Sequence, residues 1–96
     1  MPFWVYILRC SDQTYYVGST DDLDRRLAVH LSGELAGYTS TRLPVELVFA
    51  AELPSRDDAL VRERQLKKWS RAKKEALIAS DWARVSALAR GRNRRD

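Results

Sequence analysis

The spacing of apolar residues switches along this chain between two geometries, and a cluster of polar or turn-forming residues marks each switch. Phe3 to Arg9 is an apolar, aromatic and β-branched run, and Ser11-Asp12-Gln13-Thr14 separates it from Tyr15-Tyr16-Val17-Gly18. That is the arrangement of an antiparallel hairpin. Leu23, Leu27 and Leu31 then recur every fourth residue, behind N-cap candidates in Ser19-Thr20-Asp21-Asp22, which predicts a helix over residues 21–32. Gly33 can end it, and the stretch through Pro44 reads as an exposed loop. Val45 to Leu53 is a third strand, expected to be buried on both faces at its centre because Leu47-Val48-Phe49-Ala50-Ala51 is continuously apolar. Ser55 with Asp58 resembles a capping box that opens a long helix. Ser70 can cap a following helix through Ile78, and Ser80-Asp81 a shorter one using Trp82, Val85 and Leu88. The order β-β-α-β-α-α-α describes an α+β domain, a small three-stranded mixed or antiparallel sheet flanked by helices.

Ninety-six residues suit one domain, taken as residues 1–90, with a basic and disordered tail at 91–96 that has no apolar anchor. Cys10 is the sole cysteine, so neither an intrachain disulfide nor a cysteine-based zinc site is expected. No apolar stretch approaches the ~20 residues that span a bilayer, and the N-terminus has no basic region, so a cytoplasmic protein is expected. Charge is divided unevenly. Residues 1–61 hold five Lys/Arg against nine Asp/Glu, net −4, whereas residues 62–96 hold twelve against four, net +8. A basic module of this kind suits a polyanion such as nucleic acid, and a solvated basic helix is the plainer alternative.

Three groups of residues could carry chemistry. Tyr6 and Tyr16 stand at corresponding points of the two hairpin strands, where a suitable register points both phenols the same way and Gly18 leaves open space beside them. Packing is the alternative for both. Arg26 and His30, at i and i+4, share one helical face; a guanidinium can grip phosphate and an imidazole can relay a proton. Otherwise they are a solvated face. Glu63 is the only acid between Arg62 and Lys74, yet its spacing from Ala59 and Leu66 turns it towards the sheet. A carboxylate there needs a metal ion, an arginine or a hydrogen-bond network.

Together these groups resemble the GIY-YIG nuclease family, over residues 3–78. Trp4-Val5-Tyr6 stands for its first motif and Tyr16-Val17-Gly18 for its second, Arg26 for its helix arginine, and Glu63 for its metal-binding glutamate. The segment Lys67-Lys68-Trp69 is similar to the family's small stand-alone bacterial branch. Trp4 replaces a glycine of the first motif, and the only asparagine, Asn93, lies in the tail, so no late polar residue is carried over. The resemblance implies a phosphodiester-hydrolysing endonuclease with one Mg2+ or Mn2+ on Glu63 and with Tyr6, Tyr16, Arg26 and His30 around the scissile bond. DNA is expected ahead of RNA, in repair or recombination and with weak sequence preference. Nucleic-acid contacts are expected from Ser19 and Thr20 at the helix start, from Tyr38, Thr39 and Arg42 in the loop, and from Lys67, Lys68, Arg71, Lys73 and Lys74. A protein partner supplying specificity is compatible with so small a chain. The competing reading is a non-catalytic nucleic-acid-binding module of the same fold.

Overall fold

A computed structural model describes residues 2–32 and 39–80. Strands β1 (Phe3–Arg9) and β2 (Tyr15–Thr20), helix α1 (Leu23–Ser32), strand β3 (Glu46–Leu53) and helices α2 (Arg56–Lys68) and α3 (Arg71–Ile78) follow in that order. The helix expected from Ser80-Asp81, the tail at 91–96 and Tyr38 lie outside the described residues.

The sheet is antiparallel throughout, with strand order β2-β1-β3. The hairpin turns at Gln13, whose φ of 70° is left-handed, while Asp12 accepts hydrogen bonds from the backbone and hydroxyl of Thr14 at 3.1 and 2.6 Å. Such a side chain closes the turn locally. Central β1 is covered on both sides: Val5, Tyr6, Ile7 and Leu8 are all buried. Val5, Ile7 and Val17 face Leu66, Ala76 and Leu77 of α2 and α3. Tyr6 and Leu8, joined by Cys10 and Val45, face Leu23 and Leu27 of α1. The site is therefore built on a three-layer domain with one helix on one side and two on the other.

Burial on both faces thus falls to β1, and β3 is an edge strand with none of its eight residues fully buried. Its continuous apolar run has a different cause. The β1–β3 register shifts between Ile7 and Leu8, so that Ile7 pairs with Phe49 but Leu8 with Leu47. The bulge lets Leu47 join the α1 side while Val48, Phe49 and Ala51 pack towards α2 and α3.

Helix α1 corrects the leucine stripe. At ~100° per residue His30, seven positions after Leu23, lies only about 20° off the line of Leu23, whereas Leu31 has drifted by about 80°. Leu31 is accordingly half exposed and His30 is buried. The cap residues behave as their sequence suggests. Asp58 N donates to Ser55 Oγ (3.2 Å), Lys73 N to Ser70 Oγ (3.2 Å) and Arg25 N to Asp22 Oδ1 (3.1 Å). Substituting Ser70→Ala should cost about 1 kcal/mol of stability. A lower urea midpoint at an unchanged slope is the expected reading.

Candidate active site

Pairing of Tyr6 with Gly18 and of Leu8 with Tyr16 sets both tyrosines on the sheet face that α1 covers, with ring centroids 6.4 Å apart. Gly18 does not leave open space there. A Cβ at that position would stand 2.5 Å from the Tyr6 hydroxyl oxygen and 2.7 Å from its Cζ, so the phenol lies directly over the strand. Lying there, the Tyr6 hydroxyl reaches His30 Nε2 at 2.9 Å, and His30 Nδ1 meets Thr39 Oγ1, also at 2.9 Å. His30 is 1% exposed and Thr39 2%. A solvated helix face is excluded for the histidine: Tyr6, His30 and Thr39 form one buried cluster, and half-buried Tyr16 lies against it with its ring 5.2 Å from that of His30.

Burial raises the Tyr6 phenol to about 12, helped by Tyr16 and the charge of Glu63, while the nearby Arg26 guanidinium pulls the other way. Burial, then the Arg26 charge, lowers His30 below its ordinary range, so its imidazole is neutral at pH 7. Arg26 itself is half buried beside a concavity lined by Thr20, Asp22, Arg25 and Val29. An apolar hollow between β3 and the α2–α3 pair contains Arg62 as its single charged side chain, so it lacks the groups for acid–base chemistry.

Glu63 sits across β2 from this cluster. It extends from the sheet-facing side of α2, its side chain 17% exposed, with Oε1 accepting from Ser19 Oγ at 2.6 Å and Oε2 paired with Lys67 Nζ at 2.7 Å. Burial is the largest single influence and acts to raise its carboxyl. Hydrogen bonds from Lys67 and Ser19, with the charges of Lys67 and Arg64, together outweigh burial and hold the carboxyl below its ordinary range. The acid is thus ionised at neutral pH, and its charge is still felt by Tyr6. Among the described residues no three His, Cys, Asp or Glu side chains gather around one point, so Glu63 stands as a single carboxylate.

Several expected nucleic-acid contacts occupy other places. Ser19 belongs to β2 and serves Glu63; Thr20 is buried, with its Oγ1 accepting from Asp22 N at 3.1 Å at the head of α1. Thr39 is itself buried in a loop whose Thr41, Leu43 and Pro44 are exposed, and its hydroxyl is turned in to His30. Arg42 is half buried and anchored by Nε to Asp12 Oδ2 at 2.9 Å, and its carbonyl accepts from Ser11 N, tying this loop to the hairpin turn. Arg71 donates to the Gln13 carbonyl, pairs with Glu75 and stacks over Tyr15. Lys73 is only 8% exposed, its ammonium 4.1 Å from the Trp69 ring centroid, a cation–π contact inside the fold. Lys67 is paired with Glu63, Lys74 is half buried and Lys68 is exposed. The i,i+4 spacing of Glu63 and Lys67 is legible in sequence; the Ser19–Glu63 and Thr39–His30 contacts join distant segments and are not.

The Gly18–Tyr6 approach is testable. Gly18→Ala must push the phenol away from His30, at a cost of about 1–3 kcal/mol for overpacking. Alkaline spectrophotometric titration should then show the most resistant tyrosine moving down from about 12 towards 10.

Residues 2–76 match the family model described as the GIY-YIG catalytic domain. A UPF0213 protein of Natronomonas pharaonis is 47% identical over 78 residues, covering 81% of this chain and 92% of that protein. One from Halobacterium salinarum is 48% identical over 74 residues, covering 77% and 96%. The solution structure of a UPF0213 protein from Bacillus halodurans is similar in fold, with a TM-score of 0.54 at 44% identity over 82% of this chain and 84% of that one. A protein of E. faecalis, also solved by NMR, has a TM-score of 0.59 at 32% identity, covering 86% and 88%. A family match over most of the chain and these relatives of comparable size place this chain in the GIY-YIG family, a nuclease superfamily.

Proposed function

We propose that this protein is a divalent-metal-dependent endonuclease that hydrolyses phosphodiester bonds of nucleic acid, DNA in preference to RNA, in repair or recombination. The observation that carries the reading is the buried Tyr6–His30 hydrogen bond of 2.9 Å with the Arg26 guanidinium beside the same phenol. A core that needed only volume has no use for this pair, because an apolar side chain would fill the space without a buried polar network.

The family implies a metal, and Glu63 is suited to one. Its carboxylate is ionised and one oxygen already accepts a cation, the Lys67 ammonium. One carboxylate completed by water is a normal magnesium environment. A bound Mg2+ or Mn2+ would polarise the phosphate and stabilise the leaving oxygen. Ser19 orients Glu63 through Oε1. Arg26 neutralises charge developing on the phosphate oxygens as water attacks phosphorus and the P–O bond breaks. A phenol raised to about 12 is a poor lone base. It works here as a relay, taking the proton of the attacking water while passing its own to neutral His30 Nε2. Tyr16, whose ring neighbours both, orients the water or the phosphate. Lys68, with Lys67 on α2 and Lys74 on α3, contacts the phosphate backbone, which gives weak sequence preference.

Cleavage should be measured on single-stranded, duplex and branched DNA and RNA with Mg2+, Mn2+ or chelator. Wild type should cut with metal and stop with chelator, and Glu63→Ala should lose at least about 100-fold while still binding. Wild type inactive on every substrate but binding normally would establish the non-catalytic module instead, and full activity in Glu63→Ala would remove the metal role. The pH profile is a separate check. His30, faced by Tyr6 and Tyr16 from the sheet and Arg26 from its own helix, must be neutral to accept a proton. The rate should therefore be flat at neutral pH and fall only at a pH lower than that at which an ordinary imidazole titrates, because burial and Arg26 hold His30 below its usual range. His30→Gln should remove that acid limb along with most of the rate.

A further inference from the structure

The relay described above needs a particular form of His30. A neutral imidazole has one N–H, so of its two nitrogens one donates and the other accepts. Both nitrogens are spoken for inside the fold, Nε2 by Tyr6 and Nδ1 by Thr39, with the ring almost wholly removed from water. The cluster therefore has only two arrangements, a chain of hydrogen bonds running one way or the other.

Direction follows from the relay proposed above: Tyr6 passes its hydrogen to His30, so the phenol hydrogen points at Nε2 across the 2.9 Å contact. Nε2 is then the acceptor, Nδ1 bears the hydrogen, and that hydrogen points at Thr39 Oγ1. Thr39 is well held for this task. Its carbonyl accepts from Arg42 N at 3.0 Å, and Arg42 is in turn fastened to Asp12 and Ser11 of the hairpin turn. We propose that Thr39 is a positioning residue that holds His30 in its Nδ1–H tautomer, leaving Nε2 to receive the Tyr6 proton. This is the reason a small hydroxyl residue stands buried beside the only histidine of the chain. The consequence for rate rests on the nuclease reading; the tautomer is a property of the free protein.

Because the chain has one histidine, a 15N-labelled imidazole gives one pair of nitrogen signals to assign. Long-range proton–nitrogen correlations should be recorded on metal-free wild type, Thr39→Val and Thr39→Ser, above the titration range of His30. Wild type should show a protonated Nδ1 and an unprotonated Nε2. Thr39→Val, which keeps the shape but deletes the acceptor, should shift the population towards Nε2–H, and Thr39→Ser should restore the wild-type pattern. In the cleavage assay the valine variant should lose roughly 10–100-fold in kcat, the range for partners that orient a functional imidazole, with KM little changed. Wild type found as Nε2–H, or a tautomer unmoved in Thr39→Val, overturns the proposal, and the wild-type spectrum decides even if the valine variant does not fold. Tautomers shifting as expected with no cleavage by any variant would uphold the positioning role and overturn only the nuclease reading.

Discussion

The approach of the Tyr6 ring to Gly18 is the contact on which the rest of the site depends. Only a residue without Cβ lets a neighbouring phenol lie over its own strand, and only from there does the Tyr6 hydroxyl meet the imidazole carried by α1. The same placement buries the phenol and so raises its affinity for its proton. Position and proton affinity are thus set by one steric fact. Hydrogen bonding continues from His30 to Thr39 and from there, through the backbone of Arg42, to the turn at Asp12. A loop between α1 and β3 is by this route made part of the site.

Strand β2 divides the candidate residues. Tyr6, Tyr16, His30 and Arg26 gather on the α1 side, while Glu63 reaches Ser19 from α2 on the other. Among the described residues β2 is an edge strand, paired with β1 alone. The arrangement keeps an anionic carboxylate apart from the phenol, so that it perturbs Tyr6 without bonding to it. It also keeps the Glu63 oxygens next to the basic side chains of α2. Part of that basic charge is consumed by the fold. Lys73 rests on Trp69, and Arg71 closes α3 onto the hairpin, so part of the net +8 of residues 62–96 is engaged within the fold.

Local rules were readable at the helix starts. Ser55, Ser70 and Asp22 each cap the helix their spacing predicts, since a cap needs only neighbours within three residues. The inward turn of Glu63 was readable for the same reason, from its helical offset to Ala59 and Leu66, both buried. Counting leucines every fourth residue misjudged α1, because a 3.6-residue period carries Leu31 off the stripe and puts His30 on it. The apolar run of β3 misled in another way: a bulge, which has no signature in composition, was mistaken for two-sided burial.

By itself, the sequence determined the order of the six described elements and the caps, because these follow from periodicity and spacing within short windows. It also supplied the candidate residues Tyr6, Tyr16, Arg26, His30 and Glu63 and the ordered motifs that carry the family resemblance. Only the tertiary structure decided which side of the sheet each candidate occupies, that Tyr6 and His30 share a hydrogen bond while Glu63 turns to Ser19, and that Thr39 points inward instead of towards solvent. Those facts depend on register, on the missing Cβ of Gly18 and on contacts between segments up to 44 residues apart, as in Ser19–Glu63. Burial, which sets the proton affinities of Tyr6 and His30, is likewise a property of the packed molecule and not of the residues one by one.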